Sequence, residues 1–162
     1  MGIITRLLRR RDPRVDAAER LLPAAQLAAT SMFAPIVSQH ATLRDVELPD
    51  WDFFVPVAAV YLALMRLRDS SGGRSYEEVA AIAAAALVAW NRDAARAFTD
   101  CGDFVQLRAR SLVREGSEYA WADAAGMWVL WNLHRSEPTL DQAQAARAVG
   151  TCLVDSFYGW WD

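Results

Sequence analysis

Histidine and carboxylate side chains are the residues of this chain that could carry acid-base chemistry. His40 and His134 are its two histidines. His134 follows Asp123 by eleven residues on one predicted helix, so the two side chains share a helix side but lie about three turns apart. That separation is too large for a direct acid-base pair, and an enzyme would have to assemble distant groups such as His40, Asp45, Asp123 and His134. We therefore expect a non-enzymatic protein and keep this four-residue assembly as an alternative.

The histidine, cysteine and carboxylate residues do not have the spacing of a metal-binding or cofactor-binding motif. Neither histidine stands in the Glu-x-x-His pattern of di-iron bundles, and no group of ligands has the spacing of a zinc site. Cys101 and Cys152 do not form a Cys-x-x-Cys pair, and Cys101 lies between Asp100 and Asp103, where negative charge disfavours a thiolate. We predict no cofactor, no metal site and two unreactive, buried thiols.

Tryptophan is the residue type with most potential for binding, since the chain has seven. Trp121, Trp128 and Trp131 fall on a common side of one predicted helix, because steps of seven and ten residues return to nearly the same face. Together with Trp51 and Trp90 they are expected to pack in the core. The alternative is that Trp121, Trp128 and Trp131 line an apolar pocket for a small molecule between helices.

The tandem tryptophans at the end of the sequence have a different expectation. Trp160 and Trp161 follow a glycine, and tryptophan is enriched at the centres of protein interfaces. Exposed side by side they would be an aggregation hazard unless they packed back on the domain or met a partner. We predict that Trp160 and Trp161 contact a partner protein or a second copy of the chain.

The beginning of the chain, residues 1–11, is a short basic amphipathic arm. Arg6, Arg9, Arg10 and Arg11 alternate with small apolar groups over residues 3–11. Such a segment can bind an acidic patch on a protein or lie on an anionic membrane surface. We predict partner binding through these four arginines, with peripheral membrane association as an alternative.

Charge and hydropathy exclude other classes of function. The net charge of −3 does not suit a general nucleic-acid binder, which needs a concentrated basic face. The longest apolar run, 53–65, is shorter than the 18 or so residues that span a bilayer, so we expect it to form a buried core helix. We also expect no signal peptide at the start of the sequence. We therefore predict a cytoplasmic protein without a transmembrane segment or a nucleic-acid partner.

Capping residues indicate where the helices begin and end. Asp12 and Pro13 should open a helix that reaches residue 39, with a kink or break near Pro23 and near Pro35. Further helices are predicted over 51–69, 76–100, 104–115 and 118–135, and a last one ends near 158. The helix over 76–100 should begin with a capping box at Ser75 and Glu78, end at Gly102 and be the central one; Thr139 and Gln142 form a second capping box.

These segments predict a single all-α domain, a bundle of about six helices with a core rich in alanine and tryptophan. Its most plausible role is a protein-interaction module such as an adaptor, a small assembly subunit or a neutralising partner. A homodimer is the simplest version of that role.

Overall fold

The computed structural model describes residues 12–70 and 74–162. The basic arm over residues 1–11 and the loop over 71–73 lie outside the described residues, as do the side chains of residues 74 and 75 and hence the predicted Ser75 capping box. Six α-helices occupy the described part: α1 (Pro13–Gln39), α2 (Leu48–Ser70), α3 (Arg74–Trp90), α4 (Ala94–Arg114), α5 (Ala120–His134) and α6 (Ala143–Phe157), with short 3-10 turns at Ala41–Leu43 and Leu140–Gln142.

The predicted all-α bundle is confirmed, and two of its caps form as the sequence indicates. The Asp12 side chain accepts a hydrogen bond from the backbone N–H of Arg14 at 2.9 Å, and Pro13 occupies the first turn of α1. Thr139 and Gln142 form the expected capping box at the 3-10 turn before α6. Each cap satisfies backbone donors that a helix start leaves free.

The helix α1 does not break at its prolines, so the expected break is wrong, whereas a kink at either proline stays a prediction. Pro23 and Pro35 both lie inside one continuous helix, and Pro56 lies inside α2 in the same way. Proline removes one hydrogen bond from a helix, but neighbouring helices can hold the segment together when its other face is packed. Leu22 and Ile36, each next to one of the α1 prolines, are buried.

The boundary between α3 and α4 also differs from the prediction. The chain leaves the helix at Asn91, whose side-chain oxygen accepts the Asp93 N–H at 2.8 Å, and enters α4 at Ala94. This local hydrogen bond offers the backbone an alternative to the helix. Gly102 does not stop a helix; it lies inside α4, where an added Cβ would meet the Tyr61 ring at 3.1 Å.

The central helix is α2, and not α3 as predicted. Every residue over 55–65 is buried, and α2 contacts all five other α-helices of the described chain. Near its start the Trp51 indole is fully buried, donates to the Ala29 carbonyl at 2.8 Å and packs edge-on against Phe33. The prediction that the apolar run 53–65 forms a buried core helix is therefore confirmed.

Two small residues on each of α5 and α6 let these helices cross in backbone contact. A Cβ built on Gly126 would lie 1.7 Å from the Ala146 carbonyl oxygen, and one built on Gly150 would lie 1.7 Å from the Ala122 carbonyl oxygen. The relation is reciprocal, because each helix places a glycine under an alanine carbonyl of the other. Only glycine fits at either position, so the crossing fixes the spacing of α5 and α6.

Candidate functional site

Among the described residues, the charged side chain that is buried is Asp123, which is 6% exposed on the mostly apolar helix α5. Arg147 of α6 binds it with two hydrogen bonds, Nε to Oδ1 at 2.8 Å and Nη2 to Oδ2 at 2.7 Å. The guanidinium also lies over the Tyr119 ring at 4.9 Å, and the Ser117 hydroxyl is 3.5 Å from Oδ2. The hydrogen bonds to Asp123 raise the pKa of Arg147 above its ordinary value.

This ion pair joins α5 to α6 beside their glycine crossing. A hollow of about 470 Å³ opens next to it and is lined by Glu115, Met127 and Gln144 among others. Both oxygens of Asp123 are occupied by Arg147, so the pair serves as a structural clamp. The sequence indicates Asp123 as an acid-base candidate. It does not indicate the partner Arg147, because this residue lies 24 residues further along the chain.

The other members of the four-residue assembly are not joined to Asp123. His40 caps the end of α1 through its backbone, and Asp45 is exposed in the connection to α2. His134 ends α5, and its Nε2 is buried without a hydrogen-bond partner. Within 12–70 and 74–162, no three His, Cys, Asp or Glu side chains lie close enough together to hold a metal ion.

Burial explains why the two cysteine thiols are not reactive. Cys101 is fully buried, and its burial, with the neighbouring Asp100, raises the pKa of the thiol well above its ordinary value. Cys152 is only half-buried, which corrects the expectation that both are inside, and burial with Asp155 raises its pKa as well. Both thiols are free, and neither is set up as a nucleophile.

The three tryptophans of α5 do not share one environment. Trp128 is fully buried, donates its indole N–H to Asp100 at 3.0 Å and packs edge-on against Phe54. Trp121 is half-buried, whereas Trp131 is 39% exposed. Trp131 lines a surface hollow of about 330 Å³ beside Asp50.

Trp160 and Trp161 pack back on the domain. The Trp160 indole donates to the Ala17 carbonyl at 3.1 Å, and the Trp161 indole donates to the Ala63 carbonyl at 2.7 Å. Both rings are half-buried and contact the core. Through these contacts the two tryptophans hold the end of the chain against the bundle. The contact of Trp160 and Trp161 with a partner protein stays a prediction.

An apolar and basic surface that the sequence did not reveal lies on the C-terminal half of α4. We call it the α4 face; it comprises Phe104, Leu107, Arg108, Arg110, Ser111 and Arg114, which line a hollow of about 390 Å³. Leu107 is 75% exposed at its centre. Trp131 of α5 packs edge-on against Phe104, with 5.6 Å between ring centroids, and extends the apolar part. The spacing of three, four and seven residues places the set on one side of the helix.

The arginines of the α4 face are not neutralised by the described chain. Arg108, Arg110 and Arg114 form none of the ion pairs found among the described residues. Glu115, at the end of the face, accepts a hydrogen bond from Ser111 at 3.0 Å. The face therefore combines exposed apolar side chains with an excess of positive charge.

Among the described residues, two helices are long and apolar enough to cross a membrane, by length and composition alone. They are α1 (Pro13–Gln39) and α2 (Leu48–Ser70), each with a mean hydropathy of 1.4 over its most apolar window. The window in α2 is 67% buried and the window in α1 is 28% buried. A core helix passes the same test, and α2 is such a helix.

Comparison with known proteins identifies no relative of this chain. The chain matches no protein-family model, no curated protein and no solved structure.

Proposed function

We propose that this protein is a helical protein-interaction module whose α4 face binds an acidic amphipathic helix of a partner protein. The observation that carries the proposal is the set of three arginines without carboxylate partners around the exposed Leu107. A partner helix with apolar residues along one side can insert them beside Phe104 and Leu107. Glutamate or aspartate on its flanks would then complement the arginines.

The shape of the surface favours a protein over a membrane. A hollow of about 390 Å³ receives a protruding side chain, whereas a lipid surface is matched by a continuous convex apolar strip. The half-exposed Trp131 beside the hollow adds an aromatic residue of the type that anchors protein interfaces. A non-enzymatic role and a cytoplasmic location belong to the same proposal.

The test is a fluorescence-anisotropy titration with a labelled amphipathic helical peptide of leucine and glutamate. The matched control peptide replaces each glutamate by glutamine. We expect the acidic peptide to bind the wild-type protein. The glutamine peptide should bind at least about threefold more weakly, because three exposed charge pairs at roughly 0.2–1 kcal/mol each contribute about 0.6–3 kcal/mol together. Binding should weaken further as salt screens the charges.

Variants of the protein locate the binding surface. The triple variant R108A/R110A/R114A should lose most of the charge-dependent affinity, whereas the control R92A, which removes an exposed arginine elsewhere, should bind as the wild type does. Deleting residues 1–11 separates the α4 face from the basic arm. Equal binding by the triple variant, loss of binding only on deleting the arm, or binding of anionic vesicles in place of the peptide would contradict the proposal.

A further inference from the structure

A second hollow, on the side of the bundle formed by α1, the start of α2 and the end of α3, contains an unpartnered charge. Its volume is about 350 Å³, and Gln26, Asp52, Phe53, Trp90 and Asn91 line it. It is distinct from the α4 face and shares no residue with it. Its size is at the lower end for ligand sites of proteins, which suits a small molecule.

The Asp52 carboxylate is the chemical focus of this hollow. Its Oδ1 is buried and has no hydrogen-bond partner, and Asp52 forms none of the ion pairs found in the described part of the chain. The nearby Thr30 hydroxyl is already used, since it donates to the Gln26 carbonyl at 3.2 Å. A buried carboxylate oxygen without a donor is costly, so a ligand that brings a donor or a positive charge would be stabilised there.

Two aromatic rings stand next to this carboxylate. The Phe53 and Trp90 centroids are 5.6 Å apart with 31° between the ring planes, and both rings line the hollow. An ammonium group is attracted by the faces of such rings, and the hydrocarbon part of an amine gains apolar contact with them. Anion and aromatic rings together therefore favour a cationic ligand over a neutral or negative one.

The remaining polar groups favour an organic cation over a metal ion. Asn91 has its side-chain oxygen engaged by the Asp93 N–H at 2.8 Å, so its amide N–H group is left to donate. A hard metal ion needs about six oxygen ligands, and no group of three potential metal-binding side chains occurs among the described residues.

We propose that this hollow binds a small organic ammonium ion, a protonated amine whose charge pairs with Asp52 and whose hydrocarbon part packs on Phe53 and Trp90. Gln26 and Asn91 hydrogen-bond to polar substituents of the amine. This site does not depend on the proposed protein-binding role of the α4 face.

The test is calorimetric titration of the full chain with benzylammonium chloride, and with benzyl alcohol as the neutral ligand of matched shape. We expect the ammonium ion to bind at least tenfold more tightly than the alcohol. The variant D52N keeps the shape of the side chain and removes its charge, and it should weaken ammonium binding at least tenfold. D50N is the matched control, because Asp50 lies in the same helical turn but lines the separate hollow beside Trp131.

Thermal unfolding of each variant without ligand checks its fold, and W90L provides a second variant with the carboxylate intact. W90L should weaken binding of both ligands, since it removes an aromatic wall. Equal affinity of D52N and wild type for benzylammonium, equal affinity of wild type for the ammonium and the alcohol, or no heat of binding at millimolar ligand would overturn the proposal.

Discussion

A methyl group added at the α5–α6 crossing should destabilise the protein more than one added at the other described glycines. In G126A the new Cβ would lie 1.7 Å from the Ala146 carbonyl oxygen, whereas ordinary contact begins at 3.4 Å. The two backbones must therefore separate by about 1.7 Å at the crossing, because a helical carbonyl cannot rotate away as a side chain can. A gap of that size removes most of the dispersion energy between the facing atoms.

The size of the effect follows from two opposing contributions. Overpacking costs typically about 1–3 kcal/mol and more where backbone obstructs, so we place it at about 4 kcal/mol here. Replacing glycine by alanine inside a helix returns about 1 kcal/mol. The net loss is about 3 kcal/mol, or roughly 6–12 °C in Tm for a chain of this length.

Urea denaturation followed by circular dichroism measures this loss directly. G150A should lose a similar amount, because its Cβ would meet the Ala122 carbonyl oxygen at 1.7 Å. The double variant should lose less than the sum, since one substitution already separates the helices. G102A is the control: its Cβ meets a movable Tyr61 ring at 3.1 Å, and its stability should change by about 1 kcal/mol or less. Wild-type stability in both G126A and G150A would refute the close crossing.

Three further predictions concern single contacts of the core. Arg147→Ala leaves the Asp123 carboxylate buried without its partner, and it should lower the free energy of unfolding in urea by about 2 kcal/mol. This is less than for a fully buried pair, because the Arg147 side chain is 52% exposed. A loss below about 0.5 kcal/mol would contradict the role of this ion pair as a clamp. Burial raises the pKa of Cys101 in the folded state, so its contribution to stability is present below the unfolded value of 9.0 and is lost as the pH rises above it. Cys101→Ala should therefore lose less stability than the wild type between neutral pH and pH 10 or so, and an identical decline would contradict burial of the thiol. Trp161→Phe removes the indole donor to the Ala63 carbonyl and should cost about 1 kcal/mol, and an unchanged Tm would show that the hydrogen bond is absent.

The helical class and several helix ends follow from the sequence because they depend on local chemistry. Capping by Asp12 and by Thr139 with Gln142 needs only neighbouring residues, and both caps form. Burial of residues 55–65 follows from the unbroken apolar character of the run 53–65. These features need no knowledge of which helices touch.

The features missed in the sequence depend on contacts between distant residues or on competition between two local signals. Gly102 suggested a helix end, but an Asn91 side-chain hydrogen bond ends α3 eleven residues earlier. That misplaced boundary divided α4, although the predicted helix over 104–115 already contained the whole α4 face. The crossing had a signal in the spacing of Ala122 and Gly126, and of Ala146 and Gly150, since small residues four apart permit close helix contact.

The candidate sites were the least predictable part, because they depend on which side chains the packing of the helices leaves exposed. Exposure of Leu107 and of the arginines around it is decided by which side of α4 packs on α2 and α5. Sequence periodicity places these residues on one side of a helix but does not say whether another helix covers that side. In the same way, the unpartnered oxygen of Asp52 is a property of the packing of α1 and α3 around it.

The measurement that tests the proposed function most directly is chemical-shift mapping of the acidic amphipathic peptide on the isotope-labelled protein. We predict that the perturbed backbone amides concentrate over 104–114 and that the Trp131 indole signal moves with them. The indoles of Trp160 and Trp161 should keep their positions. Perturbations confined to any other surface, or no perturbation at a saturating peptide concentration, would contradict the role proposed for the α4 face.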